Sequence, residues 1–305
     1  MSLIFDCYSA CISKETLLEF LNTRPDFNIQ MCNNEKLTVL HIAVIHNNIA
    51  AIKLLYSFGI NINSTDISAF HLAVLSGNLS CIRLLKEYGA DITLKTPDGL
   101  TPLHLSITSK NISCISSLIE YGANINEQSN TGHSALHLAA YDGYLEGIDY
   151  LIKNGANINI TLFNGLTPLH LASQTGQILC MEYLIEKGAN INAMSHNGST
   201  PLIMATFHGM DVCVKSLIKY GANCNNALSI AKAKNHINCV LEISLEQINE
   251  TDIVEDICPI CINTQIPVNV KTKCCKKPFH IECIEKIQIT NWKCPLCRSD
   301  TFDKK

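Results

Sequence analysis

One alternation of apolar and polar positions returns along most of the chain. The runs TVLHIA (38–43), SAFHLA (68–73), TPLHLS (101–106), SALHLA (134–139), TPLHLA (167–172) and TPLIMA (200–205) follow one another at a spacing of 30 residues once and 33 residues four times. Each is followed by a glycine: Gly59, Gly89, Gly122, Gly155, Gly188 and Gly221. Four positions before that glycine the residue is always Leu: Leu55, Leu85, Leu118, Leu151, Leu184 and Leu217. Seven positions before it stand Ile52, Ile82, Ile115, Ile148, Met181 and Val214. A spacing of three marks one face of a helix, and in a repeat protein that face is buried against the next unit.

Local chemistry divides each unit into two short helices and a turn. Thr101, Thr167 and Thr200 each precede a proline, which gives a capping hydroxyl followed by a residue preset for the first helical turn. Gly77, Gly143, Gly176 and Gly209 close the first helix in the left-handed conformation. The second helix closes at Gly-Ala-Asn or a near variant. The pairs Asp98-Gly99, Asn164-Gly165 and Asn197-Gly198 then predict a tight hairpin before the next unit.

Six such units in phase resemble the ankyrin repeat. The resemblance covers about residues 30–225 and implies an α-helical ankyrin-repeat solenoid with short β-hairpins. Two units depart from the pattern. The second repeat is three residues short and lacks an Asx-Gly pair, so a stunted finger is expected there. The sixth has Ile203 where the others have His41, His71, His104, His137 and His170. Those in-register histidines are read as repeat architecture that bonds near helix starts.

The expected organisation is an N-terminal capping half-repeat (1–30), six repeats (31–225), a degenerate C-terminal cap (226–244), an acidic linker (245–257) and a cysteine-rich finger (258–305). The linker LEQINETDIVEDI carries five acids and no base.

Charge and cysteine usage sharpen the division. Residues 257–305 hold 9 Lys+Arg against 4 Asp+Glu, leaving 14 against 23 in the remainder. Seven thiolates binding two zinc ions would remove most of the tail's excess, so a nucleic-acid partner is not expected. No stretch approaches the ~18 apolar residues of a membrane span, and the N-terminus lacks the basic start of a secretory signal. Sixteen cysteines in such a chain point to reduced thiols and metal, and to a cytoplasmic or nuclear setting. Outside the tail, no Cys or Ser shows a nucleophile motif with a base beside it.

The tail runs Cys258-x2-Cys261-x12-Cys274-Cys275-x4-His280-x2-Cys283-x10-Cys294-x2-Cys297. Zinc takes four tetrahedral sulfur or nitrogen ligands, so eight donors suit two closed, structural ions. A segment of this size cannot bury enough core alone, and metal would brace it. RING and PHD fingers share this outline, but a PHD reader of methyl-lysine needs an aromatic cage, and Phe279, Trp292 and Phe302 are the only aromatics available.

The phrases CPIC, PFHIEC and WKCPLCR resemble a RING finger. That resemblance implies a ubiquitin ligase that holds a ubiquitin-charged conjugating enzyme. Carried over by position, Ile260, Trp292 and Pro295 are the apolar contacts to that enzyme, and Arg298 is the cation bridging enzyme and ubiquitin, a task that suits a planar guanidinium. Cross-brace order assigns Cys258, Cys261, His280 and Cys283 to one ion, and Cys274, Cys275, Cys294 and Cys297 to the other. Adjacent Cys274 and Cys275 depart from the family pattern, and the alternative is Cys274 with water or an outside group in place of Cys275. Lys271, Lys273, Lys276 and Lys277 read as a solvated loop.

Target choice is assigned to the repeats. Tyr141, Phe163, Met194, Phe207 and His208 are large residues at variable positions, expected to be exposed and to meet a target protein. An exposed Leu162-Phe163 pair at a finger tip is part of that expectation. The alternative from another functional class is a non-enzymatic adaptor whose finger is a structural staple.

Overall fold

The computed structural model describes residues 37–64 and 67–247, with the strand residues 270–272, 278–279 and 302–304. They fall into two compact units, Met1–Phe163 and Asn164–Lys305.

In the first unit the described helices are α1 (Val39–Ile45), α2 (Ile49–Ser57), α3 (Ala69–Leu75), α4 (Leu79–Glu87), α5 (Pro102–Thr108), α6 (Ile112–Glu120), α7 (Ala135–Tyr141) and α8 (Leu145–Lys153). Each odd-numbered helix packs on the even-numbered one that follows it and on the next odd-numbered one, and α6 packs on α8. The second unit continues the alternation with α9 (Pro168–Thr175), α10 (Ile178–Glu186), α11 (Pro201–Phe207), α12 (Asp211–Lys219), α13 (Ala227–Ala233) and α14 (Ile237–Gln247). There α9, α11 and α13 form one row, and α10, α12 and α14 the other.

Helices of seven to eleven residues are not stable alone, so stacking must hold them. The two periodic positions do this: Ile52, Ile82, Ile115, Ile148, Met181 and Val214, with the six leucines three residues on, are all fully buried. The glycines foreseen as stops after the first helix adopt positive φ, 66° at Gly77 and 75° at Gly176. Asn47, Lys110 and Asn235 take the left-handed role in other units, at φ of 52°, 48° and 58°. Asn and Lys tolerate that region less well than glycine, and the surrounding repeat imposes it.

The connecting fingers differ from expectation. Among the described residues of 37–247 they contain no extended strand pairs, so the short β-hairpins of the sequence reading are tight turns. Two backbone bonds close each of three turns: Thr96 N–H to Leu100 O (2.9 Å) with Gly99 N–H to Thr96 O (2.8 Å), Ser129 N–H to His133 O (2.8 Å) with Gly132 N–H to Ser129 O (2.9 Å), and Ser195 N–H to Ser199 O (2.9 Å) with Gly198 N–H to Ser195 O (2.9 Å). The loops are too short for a longer ladder, and Asn130 bonds across to the neighbouring finger as well. Asn130 N–H donates to Asp98 O (3.1 Å), and its side-chain amide donates to Pro97 O (2.8 Å). That close stacking demands glycine at the preceding tip, because a Cβ on Gly99 would collide with Asn130.

Three short strands lie in the tail: β1 (Val270–Thr272), β2 (Pro278–Phe279) and β3 (Phe302–Lys304). They form an antiparallel sheet of order β2-β1-β3, with Val270 opposite both Phe279 and Lys304.

Candidate functional site

The in-register histidines are the best-defined polar constellation. In each of the first five repeats the imidazole Nδ1 accepts the backbone N–H of the Thr or Ser that caps its own helix, at 3.0 to 3.2 Å. An N–H can only donate, so Nδ1 is unprotonated and Nε2 carries the hydrogen. The Nε2–H then reaches the next finger: His41 to Ile67 O (2.8 Å), His71 to Leu94 O (3.0 Å), His104 to His133 O (2.9 Å) and His170 to Ser199 O (3.0 Å). Each of these four rings thus ties a helix start to the following finger. Burial holds the imidazoles of His41, His71, His104 and His170 below the ordinary histidine value, so the neutral tautomer is the folded form. These rings are structural clamps, with no substrate-facing nitrogen.

An asparagine relay reinforces them at the other end of the finger. The Asn63 amide donates to Gly89 O (3.1 Å) and its carbonyl accepts Asp91 N–H (2.9 Å). Asn126 repeats the arrangement with Gly155 O (3.2 Å) and Asn157 N–H (2.7 Å). Asn63 and Asn126 stand four residues after the closing glycine, a recurrence that the sequence reading missed.

Cysteine chemistry in the repeats is equally quiet. Cys81, Cys114, Cys180, Cys213 and Cys239 are buried in the second helices. Burial pushes the thiols of Cys81, Cys213 and Cys239 up to about 11, which removes the thiolate a nucleophile needs. Among the described residues no group of three or more His, Cys, Asp or Glu is placed to hold a metal ion, and no helix is long and apolar enough to cross a membrane.

The candidate target-binding residues are exposed to different degrees. In the first unit Tyr141 is 51% and Phe163 66% exposed. Leu162, however, is buried at 7%, so the expected Leu-Phe pair at the finger tip is a core residue beside a surface one. The Phe163 ring also lies against the Gly132 turn, where a Cβ would come within 3.2 Å of it. In the second unit Met194 is 69% and Phe207 45% exposed, and His208 is exposed beside Phe207 with ring centroids 5.1 Å apart. Sequence reading missed the exposed Leu179 and Val212, which occupy the same position of α10 and α12.

A family model described as Ankyrin repeats (3 copies) matches residues 7–96, 71–162 and 161–228. The chain belongs to the ankyrin-repeat family. Ankyrin repeats are protein-binding architecture, and the exposed residues above are surface of that architecture. The match ends at Leu228, and no RING-finger family model matches the tail beyond it. No curated protein matches the chain.

The metal-ligand candidates Cys258, Cys261, Cys274, Cys275, His280, Cys283, Cys294 and Cys297 lie outside the described residues. So do the enzyme-contact candidates Ile260, Trp292, Pro295 and Arg298. What is described around them is the sheet: the chain enters the Cys274-Cys275 segment from β1, leaves it through β2, and reaches His280 next.

Proposed function

We propose that this ankyrin-repeat protein is a RING-type ubiquitin ligase, with the repeats selecting a target and the tail recruiting a charged conjugating enzyme. The observation that carries the reading is the spacing of seven cysteines and one histidine between Cys258 and Cys297. That donor set suits zinc, whose preference is for thiolate and imidazole in closed tetrahedral sites. Cys258, Cys261, His280 and Cys283 would hold one ion, and Cys274, Cys275, Cys294 and Cys297 the other. When bound, the metal supplies rigidity and no reaction chemistry.

The chain's own part in transfer is positional. Ile260, Trp292 and Pro295 offer an apolar seat for the conjugating enzyme. The Arg298 guanidinium fixes the ubiquitin thioester in a conformation open to attack. A target lysine amine then attacks the thioester carbonyl, forming the amide as the carbon–sulfur bond breaks. The thiolate leaves on the partner enzyme, so no covalent intermediate forms on this chain. A protein held by the repeats is presented at high effective concentration to that thioester.

Reconstitution of the full-length chain with activating enzyme, a panel of conjugating enzymes, ubiquitin and ATP tests the proposal. Autoubiquitination is expected, lost in Ile260→Ala. Arg298→Ala should keep enzyme binding and slow thioester discharge. A zinc-loaded wild type that is inert with every conjugating enzyme would leave the adaptor reading in its place.

A further inference from the structure

The outer face of α14 is closed to water although, among the described residues, no helix follows it. Along the second helices one position looks forward to the next unit. Glu182 of α10 accepts the Ser216 hydroxyl of α12 at 2.6 Å, and Lys215 of α12 pairs with Glu242 of α14 at 3.4 Å. The position one turn later looks the same way, as where Tyr56 stacks on Tyr88 with ring centroids 3.8 Å apart. The core residues Cys213, Val214 and Leu217 of α12 recur in α14 as Cys239, Val240 and Ile243, which fixes the alignment. The two forward positions of α14 are then Leu241 and Ser244.

A forward-facing residue need not be buried even with a neighbour ahead of it: the Lys215 side chain is 68% exposed beside α14. Leu241 and Ser244 are 3% and 0% exposed. The described helices packed on α14, α12 and α13, both precede it in the chain, and α12 meets it through Asn238 and Glu242. Leu241 is buried within a single copy of the chain, so its cover belongs to that copy. Ser244 gives the chemistry of the cover. Its hydroxyl is buried and has no hydrogen-bond partner, whereas a polar cover or a water would have supplied one. The covering surface is therefore apolar.

The segment that leaves α14, residues 248–257 (INETDIVEDI), carries Ile253, Val254 and Ile257 at the spacing of one helical face. Its reach is ample. Leu241 lies about 9 Å back from Gln247 along the helix, and the chain from Gln247 to Ile253 can span about 20 Å. We infer that residues 248–257 dock on the Leu241–Ser244 face through Ile253, Val254 and Ile257 and close the end of the repeat stack. The stretch read as an acidic linker is then a strap rather than a free tether. Cys258 follows Ile257 directly, so the strap fixes where the finger leaves the repeats, whether or not that finger transfers ubiquitin.

Limited proteolysis of the full chain with a glutamate-specific protease, read by mass spectrometry, tests this. Cleavage after Glu250 and Glu255 should be at least tenfold slower than in a free peptide of residues 248–257. Leu241→Lys gives α14 the residue that α12 carries at this position. It should raise cleavage at both sites at least tenfold while Glu242, within α14, stays resistant. Ile253→Lys should do the same from the other side of the contact, and it decides the matter if Leu241→Lys loosens α14 itself. Ser244→Ala, which removes the unpartnered hydroxyl, should be cut no faster than wild type. Free-peptide rates in the wild type, or wild-type rates in Ile253→Lys, would overturn the inference. Protection lost on dilution would overturn it too, by placing a second copy on this face.

Discussion

Replacing His104 by Leu isolates the contribution of one histidine clamp. The imidazole is 1% exposed and Thr101 7%, so water cannot take over what the ring leaves behind. Leu is close in size but offers no polar atom. One buried backbone group loses its partner, Thr101 N–H, now 3.1 Å from Nδ1, while His133 O loses the Nε2–H bond at 2.9 Å but keeps Ser129 N–H at 2.8 Å. Leaving one buried group unsatisfied costs about 1–3 kcal/mol. Partial relief comes from the Thr101 hydroxyl, which is 2.8 Å from Nδ1 and can turn elsewhere. The expected loss is about 1–4 kcal/mol, one unsatisfied group plus one lost bond, read from urea denaturation followed by far-ultraviolet circular dichroism. His133→Ala keeps the accepting carbonyl, and His133 is not buried, so it should cost under about 1 kcal/mol. A loss below about 0.5 kcal/mol in His104→Leu would refute the view that the clamp carries stability across repeats.

Acidification should act on the same rings. His41, His71, His104 and His170 are held below their unfolded value, so the unfolded chain binds protons first as pH falls through about 6.5. Stability is fully present above that pH and should fall below it by up to about 1.4 kcal/mol per pH unit for each ring, seen as a falling denaturation midpoint between pH 7 and 5; a flat profile would contradict it. Gly147→Cys restores the residue found in neighbouring repeats but would strike the Tyr144 ring, which fills that space. It should cost about 1–3 kcal/mol in thermal or urea unfolding, and adding Tyr144→Asn should recover most of it; no recovery would show that the ring is not the obstacle. Native mass spectrometry of the full chain should find two zinc ions, with Cys275→Ser weakening one of them. A strong chelator should strip both while repeat helicity persists, and a stoichiometry of one would end the eight-donor assignment.

The helical architecture was legible because its signal is redundant. Six leucines and six Ile, Met or Val residues at fixed offsets leave one consistent burial pattern, and all of them are buried. Compensated exceptions were not legible. Gly147 breaks the buried cysteine column, and only the packed structure shows Tyr144 reaching into the gap, with its hydroxyl donating to Lys110 O at 3.2 Å. Ile203 looked like a simple departure. In the other repeats the histidine reaches a carbonyl on the next finger, as His104 does at residue 133 and His170 at residue 199. The same step of 29 residues from Ile203 lands on Lys232, inside α13, where a helix has replaced the finger. No free carbonyl awaits a ring there, and Thr200 Oγ1 alone caps the helix by accepting Ile203 N–H at 3.3 Å.

Surface chemistry is harder to read from a repeat than its core, because exposure at a finger tip depends on the neighbouring finger. Leu162 and Phe163 are adjacent and both large, yet one is buried and the other stands over Gly132 with most of its ring in solvent. Periodicity assigns a face to a helical residue, but it has no rule for a turn that stacks on another turn. Phe207 makes the same point from the opposite side. It was picked out as a large residue at a variable position, while the lysine that sits on its ring is 27 residues further along and carried no signal of its own. The chemistry of that surface is a property of the pair.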